Sequence, residues 1–89
     1  MTDNDVLISN LYAFLNAIYT LKVACSHDIQ RKTGISGASI IRIRKIAFMG
    51  GLIENFGGDN RKRNLRLSMD GRIMLRLLRK ILFRFPQDF

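Results

Sequence analysis

The stretch from Ser26 to Ile53, SHDIQRKTGISGASIIRIRKIAFMGGLI, constrains the fold more than any other part of the chain. It reads as two short helices separated by a tight turn and closed by a double glycine. Ser26 has the side chain of an N-cap, because a serine oxygen accepts a hydrogen bond from an otherwise unpaired N–H of the first turn. The helix it opens, residues 26–33, stops at Gly34, which enters the left-handed conformation without a Cβ penalty. Ile35 then turns into the core, and Ser36 caps a second helix over residues 37–49.

That second helix has two faces. At about 100° per residue, Ile40, Ile43 and Ala47 share one side, and Ala38, Arg42, Lys45 and Met49 the other. Ile41, Ile46 and Phe48 fall on the flanks. The outward side is small near its N-terminus and basic further along. Such a face suits the major groove: small residues allow close approach, and an arginine at Arg42 reaches a guanine edge with two hydrogen bonds. Helix, glycine turn, polar cap and basic second helix together make a helix-turn-helix signature. The plainer alternative is a solvated face with ordinary charge.

Charge separates these alternatives. The 89 residues carry a net charge of +8, and the first twenty contain two aspartates and no Lys or Arg. Basic residues concentrate from Arg42 onward, which points to an anionic partner, nucleic acid or a membrane surface. No apolar run approaches the ~20 residues of a membrane span, and the acidic N-terminus lacks a secretory n-region. A soluble cytoplasmic protein is the expectation.

Nothing predicts catalysis or a cofactor. Cys25 and His27 are the sole cysteine and histidine, so an intramolecular disulfide is impossible and no zinc-ligand spacing exists. A buried thiol is the plain reading of Cys25, with an intermolecular disulfide or redox sensor as the alternative. Gly57-Gly58 precedes basic residues, but no Gly-Lys-Ser follows to make a nucleotide loop. No Ser-His-Asp set and no small-molecule site is legible, and neither metal nor cofactor is expected.

The remaining elements complete a mainly α chain with a small β-hairpin. A first helix over residues 4–22 carries Leu7, Ile8, Leu11, Leu15 and Ile18 as its core stripe, widened by Val6, Tyr12, Phe14, Tyr19 and Leu21. Val23 to Cys25 reads as a brief extended piece. Residues 52–68 read as a hairpin: Leu52-Ile53-Glu54-Asn55-Phe56, turn chemistry at Gly57-Gly58-Asp59-Asn60, and the alternating strand Asn64-Leu65-Arg66-Leu67-Ser68. Arg61, Lys62 and Arg63 sit at its tip and return arm, where a hairpin beside the second helix meets a phosphate backbone. A last helix over residues 70–85, stopped by Pro86, has an apolar arc wider than one small domain covers.

These residues carry a family resemblance. TGISGASIIRIRKIAFMGGLI resembles the helix-turn-helix core of winged-helix transcription regulators, and DNRKRNLRLSMDGR is similar to the wing of the MarR (multiple antibiotic resistance regulator) family, where a strand ends in Leu-Ser/Thr-x-x-Gly. The size and basic character are similar to small winged-helix proteins of archaea and their viruses or plasmids, which implies a nucleoid-associated protein, in the host cytoplasm if viral. The resemblance implies a winged helix-turn-helix: a three-helix core, a wing and a C-terminal dimerisation helix in one domain, residues 1–89. It implies a dimeric regulator of double-stranded DNA, with Ser36, Gly37, Ala38, Ser39, Arg42 and Lys45 facing the groove and Arg61, Lys62 and Arg63 on the wing. Arg44 departs from the pattern, standing where the family often has an apolar residue. The expected homodimer interface comprises Ile8, Tyr12, Met74, Leu78, Ile81, Leu82 and Phe85. The alternative function is a protein-interaction or nonspecific nucleic-acid-binding module, since fold alone does not choose.

Overall fold

The computed structural model describes residues 3–58 and 63–84. Its elements run α1 (Asp3–Leu21), α2 (Ser26–Thr33), α3 (Gly37–Met49), β1 (Ile53–Gly58), β2 (Arg63–Leu67) and α4 (Met69–Arg84). The expected architecture is present, with every boundary within one or two residues of the sequence reading. The turn at Asp59-Asn60, the tip cations Arg61 and Lys62, and Phe85 with Pro86 lie outside the described residues.

Short polar contacts set the helix ends. Gly34 closes α2 at φ 75°, and its N–H donates to the Gln30 carbonyl at 2.8 Å. Ser36 caps α3 as expected, its Oγ accepting from the Ser39 N–H at 3.3 Å. The start of α2 differs from expectation: Cys25, not Ser26, is the N-cap residue. The Asp28 carboxylate accepts from the Cys25 N–H at 3.3 Å and from its thiol at 3.2 Å. An acid at N3 thus satisfies the first orphan donor, the task a capping box performs. Ser26, released from capping, accepts a hydrogen bond from Arg44 Nη1 at 3.2 Å. That bond accommodates the departure at Arg44: the half-buried arginine bridges α3 to α2, where an apolar side chain would only pack.

The strands pair antiparallel, Ile53 with Leu67 and Asn55 with Leu65, and the register shifts between Asn55 and Gly58. Gly57 and Gly58, at φ 83° and 101°, supply the left-handed backbone of that irregularity. The extended piece before α2 docks on this hairpin, where Ala24 and Leu65 exchange both backbone hydrogen bonds. The hairpin is thereby tied to the helical core rather than left as an isolated ribbon, which would be marginal in water.

One apolar cluster joins all elements. Phe14, Leu15 and Ile18 of α1, Ile29 of α2, Ile43 of α3 and Leu65 of β2 are fully buried in it. Phe14, read only as widening the stripe of α1, is central, whereas Ile8, read as core stripe and as interface, is 37% exposed. The larger correction is Leu78. It is only 6% exposed within a single chain and belongs to the core cluster, so it offers little surface for a partner to cover. The apolar residues that α4 leaves uncovered are instead Met69, Ile73, Leu77 and Ile81, at steps of four along one stripe, with Phe83 exposed beside it.

The root of the hairpin meets the start of α4 at Ser68. Its hydroxyl accepts from the Gly71 N–H at 3.0 Å and donates to the Gly51 carbonyl, while its own N–H donates to the Leu52 carbonyl at 3.0 Å. Gly71 sits so close to Leu52 that a Cβ built on it would lie 2.0 Å from the Leu52 carbonyl oxygen. The Leu-Ser-x-x-Gly spacing thus has a mechanical cause. Serine caps α4 and clamps the end of α3, and glycine lets the backbones approach.

Candidate nucleic-acid interface

The outward face of α3 is where the sequence places it. Ile40, Ile43 and Ala47 are buried, and Ala38, Arg42, Lys45 and Met49 stand exposed along the opposite side. Met49 is 83% exposed at the C-terminal end of this ridge. Gly37 and Ser36 are exposed at its N-terminal end, while Ser39 is half-buried. The two serine hydroxyls bond to one another at 3.0 Å, so their first role is to fix the helix start.

Between α3 and the hairpin lies an open cleft of about 590 Å³, lined on the helix side by Ile41, Arg44, Lys45, Phe48 and Met49, and on the strand side by Asn55, Arg63 and Leu65. The sequence reading underrated this apolar lining. Ile41 is 59% exposed, next to Arg42 on the helix surface. An exposed β-branched residue so placed is the type of side chain that packs on a thymine methyl. The signal was present in the spacing, since 38, 41, 45 and 49 also trace one helical side.

Cations on this face are uncommitted. Among the described residues, Arg42, Lys45 and Arg63 make no ion pair, and the pair between Arg66 and Glu54, at 2.8 Å, lies elsewhere on the hairpin. Lys45 and Arg63 thus face one cleft from two elements, and Arg42 lines a separate hollow beside Val6, Leu7 and Asn10 of α1. Arg61 and Lys62, the other cations expected on the wing, lie outside the described residues. The expected interface residues divide: Ile81 and Ile8 are exposed, Tyr12, Met74 and Leu82 are half-buried, and Leu78 is core. Tyr12 packs edge-on against Phe83, ring centroids 5.2 Å apart, and so holds α1 to α4.

Among the described residues no group of three or more His, Cys, Asp or Glu side chains is arranged to hold a metal ion. No described helix is long and apolar enough to cross a membrane. Cys25 is buried, as its plain reading expected.

No family model and no curated protein sequence matches the chain. Solved structures do. The PcaV transcriptional regulator from Streptomyces coelicolor superposes with a TM-score of 0.81 at 25% identity, over 89% of this chain and 60% of that one. A mutant of MarR from E. coli, in complex with operator DNA, superposes at 0.71 and 12% identity, over 83% of this chain and 54% of that one. The fold is a MarR-like winged helix. SSV1 F-93 superposes at 0.69 with 15% identity, over 90% of this chain and 92% of that one. The winged helix described here therefore spans 54–60% of the larger regulators and nearly all of the viral protein. PcaV is a transcription regulator by name, and the MarR structure holds operator DNA.

Proposed function

We propose that the chain is a homodimeric regulator that binds double-stranded DNA in the cytoplasm, with α3 in the major groove and the wing on the backbone or minor groove. The observation that carries this reading is the ridge of α3, which is small at Ala38, cationic at Arg42 and Lys45, and faces a further cation at Arg63 across an open cleft. Phosphate contacts from the wing and Lys45 set position, and base contacts from Arg42 and Ile41 set sequence. Ser36, Gly37 and Ser39 bring the helix start close to the backbone, where its unpaired N–H groups favour a phosphate. The operator DNA on MarR supports the same assignment for this fold.

Dimerisation is carried by apolar surface. Ile73, Leu77 and Ile81 on α4 and Ile8 on α1 are exposed in the single chain, and Tyr12, Met74 and Leu82 border them. Phe85 follows in sequence, outside the described residues. A two-fold axis along α4 buries this strip against its copy and presents two recognition helices. Selection of bound duplexes from a random pool tests the proposal. An inverted repeat with half-sites about one helical turn, ~34 Å, apart is expected. A pool that remains random after repeated rounds, despite retention of DNA, would reduce the chain to a nonspecific binder.

A further inference from the structure

We infer that the chain carries a second phosphate-binding face, formed by Tyr19 and Lys22 of the α1 end and Arg72, Arg76 and Arg79 of α4, which holds the backbone of a second DNA duplex. The inference rests on the DNA-binding reading above and extends it from one duplex to two.

Two adjoining open hollows, of about 600 and 260 Å³, share Tyr19 and Arg72 in their walls. The first also takes in Lys22 and Arg66, and the second takes in Arg76 and Arg79. Neither shares a lining residue with the cleft between α3 and the wing. Strand alternation explains the separation, because Leu65 faces that cleft and its neighbour Arg66 faces away from it.

The charge on this face is not balanced internally. Arg66 is matched by Glu54 at 2.8 Å and lies over the Phe56 ring at 4.4 Å, so it adds little net charge to the groove. Among the described residues, Arg72 and Arg76 have no ion-pair partner, and Arg79 reaches only the neutral Asn16 side chain, at 3.5 Å. Arginines at steps of four and three on one helix face repel one another and destabilise the helix. Lys22 stands just past the α1 C-terminus at φ 68°, where its charge offsets the carbonyl end of that helix. What remains is a row of guanidinium groups without an ion-pair partner among the described residues, of which only Arg79 ties α4 to another element.

The row fits a duplex backbone. The seven helical steps from Arg72 to Arg79 span about 10 Å, close to three phosphate steps at ~3.4 Å of axial rise per strand. Guanidinium groups bind phosphate oxygens bidentately, which suits them to this ligand better than lysine. Tyr19, 56% exposed between the hollows, adds a hydroxyl that donates to phosphate.

A bridging assay tests this on the full chain. One duplex is immobilised on beads, the protein is added and washed, and a fluorescent second duplex of unrelated sequence is offered in low salt. Wild type should capture the second duplex. The combined Arg72→Gln, Arg76→Gln and Arg79→Gln variant should stay on the first duplex with capture reduced at least about tenfold, as removal of several phosphate-binding cations requires. The matching lysine variant should recover much of the capture, which a merely misfolded protein would not. Retention on the first duplex without capture of the second by wild type overturns the inference alone. Undiminished capture by the glutamine variant also overturns it, assigning the second duplex to the other protomer's α3. Arginine-dependent binding of phosphatidylserine vesicles with no duplex capture overturns it in favour of a membrane. Failure of wild type to hold even the first duplex overturns the DNA-binding reading and the bridging together.

Discussion

Gly71→Ala separates helix propensity from packing, because the two predict opposite signs. Gly71 lies in the first turn of α4 without a positive φ, so alanine fits its backbone and on propensity alone would stabilise the helix by about 0.5–1 kcal/mol. Space decides otherwise. The added Cβ would stand 2.0 Å from the Leu52 carbonyl oxygen and 3.0 Å from its carbon, and both are backbone atoms that cannot rotate aside. Relief requires α4 to move away from the end of α3, which stretches the Ser68 N–H bond to the Leu52 carbonyl, now 3.0 Å. Overpacking of this kind costs about 1–3 kcal/mol and a weakened buried hydrogen bond adds roughly 1 kcal/mol more. Set against the propensity gain, the net destabilisation is about 1–3.5 kcal/mol, or roughly 5–25 °C in Tm for a domain of this size. Urea unfolding with an unchanged m-value, beside a thermal melt, measures it. A variant that melts at or above the wild-type temperature would refute the close approach and the account of the Leu-Ser-x-x-Gly motif.

The other predictions concern the wing and the interface. Replacing Arg61, Lys62 and Arg63 with alanine should weaken binding to every duplex and flatten the salt dependence by about 0.9 slope unit for each phosphate that the wing neutralises; an unchanged slope removes the wing from the interface. Leu77→Asp with Ile81→Asp alters exposed positions and should yield a folded monomer by light scattering, with DNA affinity sharply reduced as two linked half-sites become one. A variant that remains dimeric would move the interface elsewhere. Leu78→Ala, by contrast, should lower stability by about 2–5 kcal/mol as a core truncation, and an unaltered melt would return Leu78 to the surface.

What the sequence made legible, and what it hid, follows from how far each signal reaches. The ends of α2 and α3 were legible because Gly34 and Ser36 act on their own neighbours. The N-cap at Cys25 was not, since its capping acceptor is the Asp28 carboxylate three residues on and the adjacent Ser26 looked the better acceptor. Helical spacing orders residues around an axis but leaves the rotation of that axis undetermined. Leu78 and Leu77 are adjacent in sequence, and only packing of α4 on α1 and β2 buries one and exposes the other. The motif ending at Gly71 was recognisable, yet its cause, the Leu52 carbonyl, lies across the whole hairpin in sequence. The groove around Tyr19 was hidden for the same reason, as its cations come from the end of α1, from β2 and from α4.

The central claim is that the outward ridge of α3 reads base sequence, and Arg42→Ala tests it most directly. Fluorescence anisotropy would titrate wild type and variant against the duplex selected from the random pool and against a scrambled duplex of equal length. Removing a bidentate hydrogen-bond pair to a base edge should cost about 1–3 kcal/mol, roughly 5- to 150-fold in Kd, on the selected duplex. Binding to the scrambled duplex should fall much less, and preference at one base pair should relax. Equal weakening on both duplexes would assign Arg42 to a phosphate, and no weakening on either would contradict the placement of α3 in the groove.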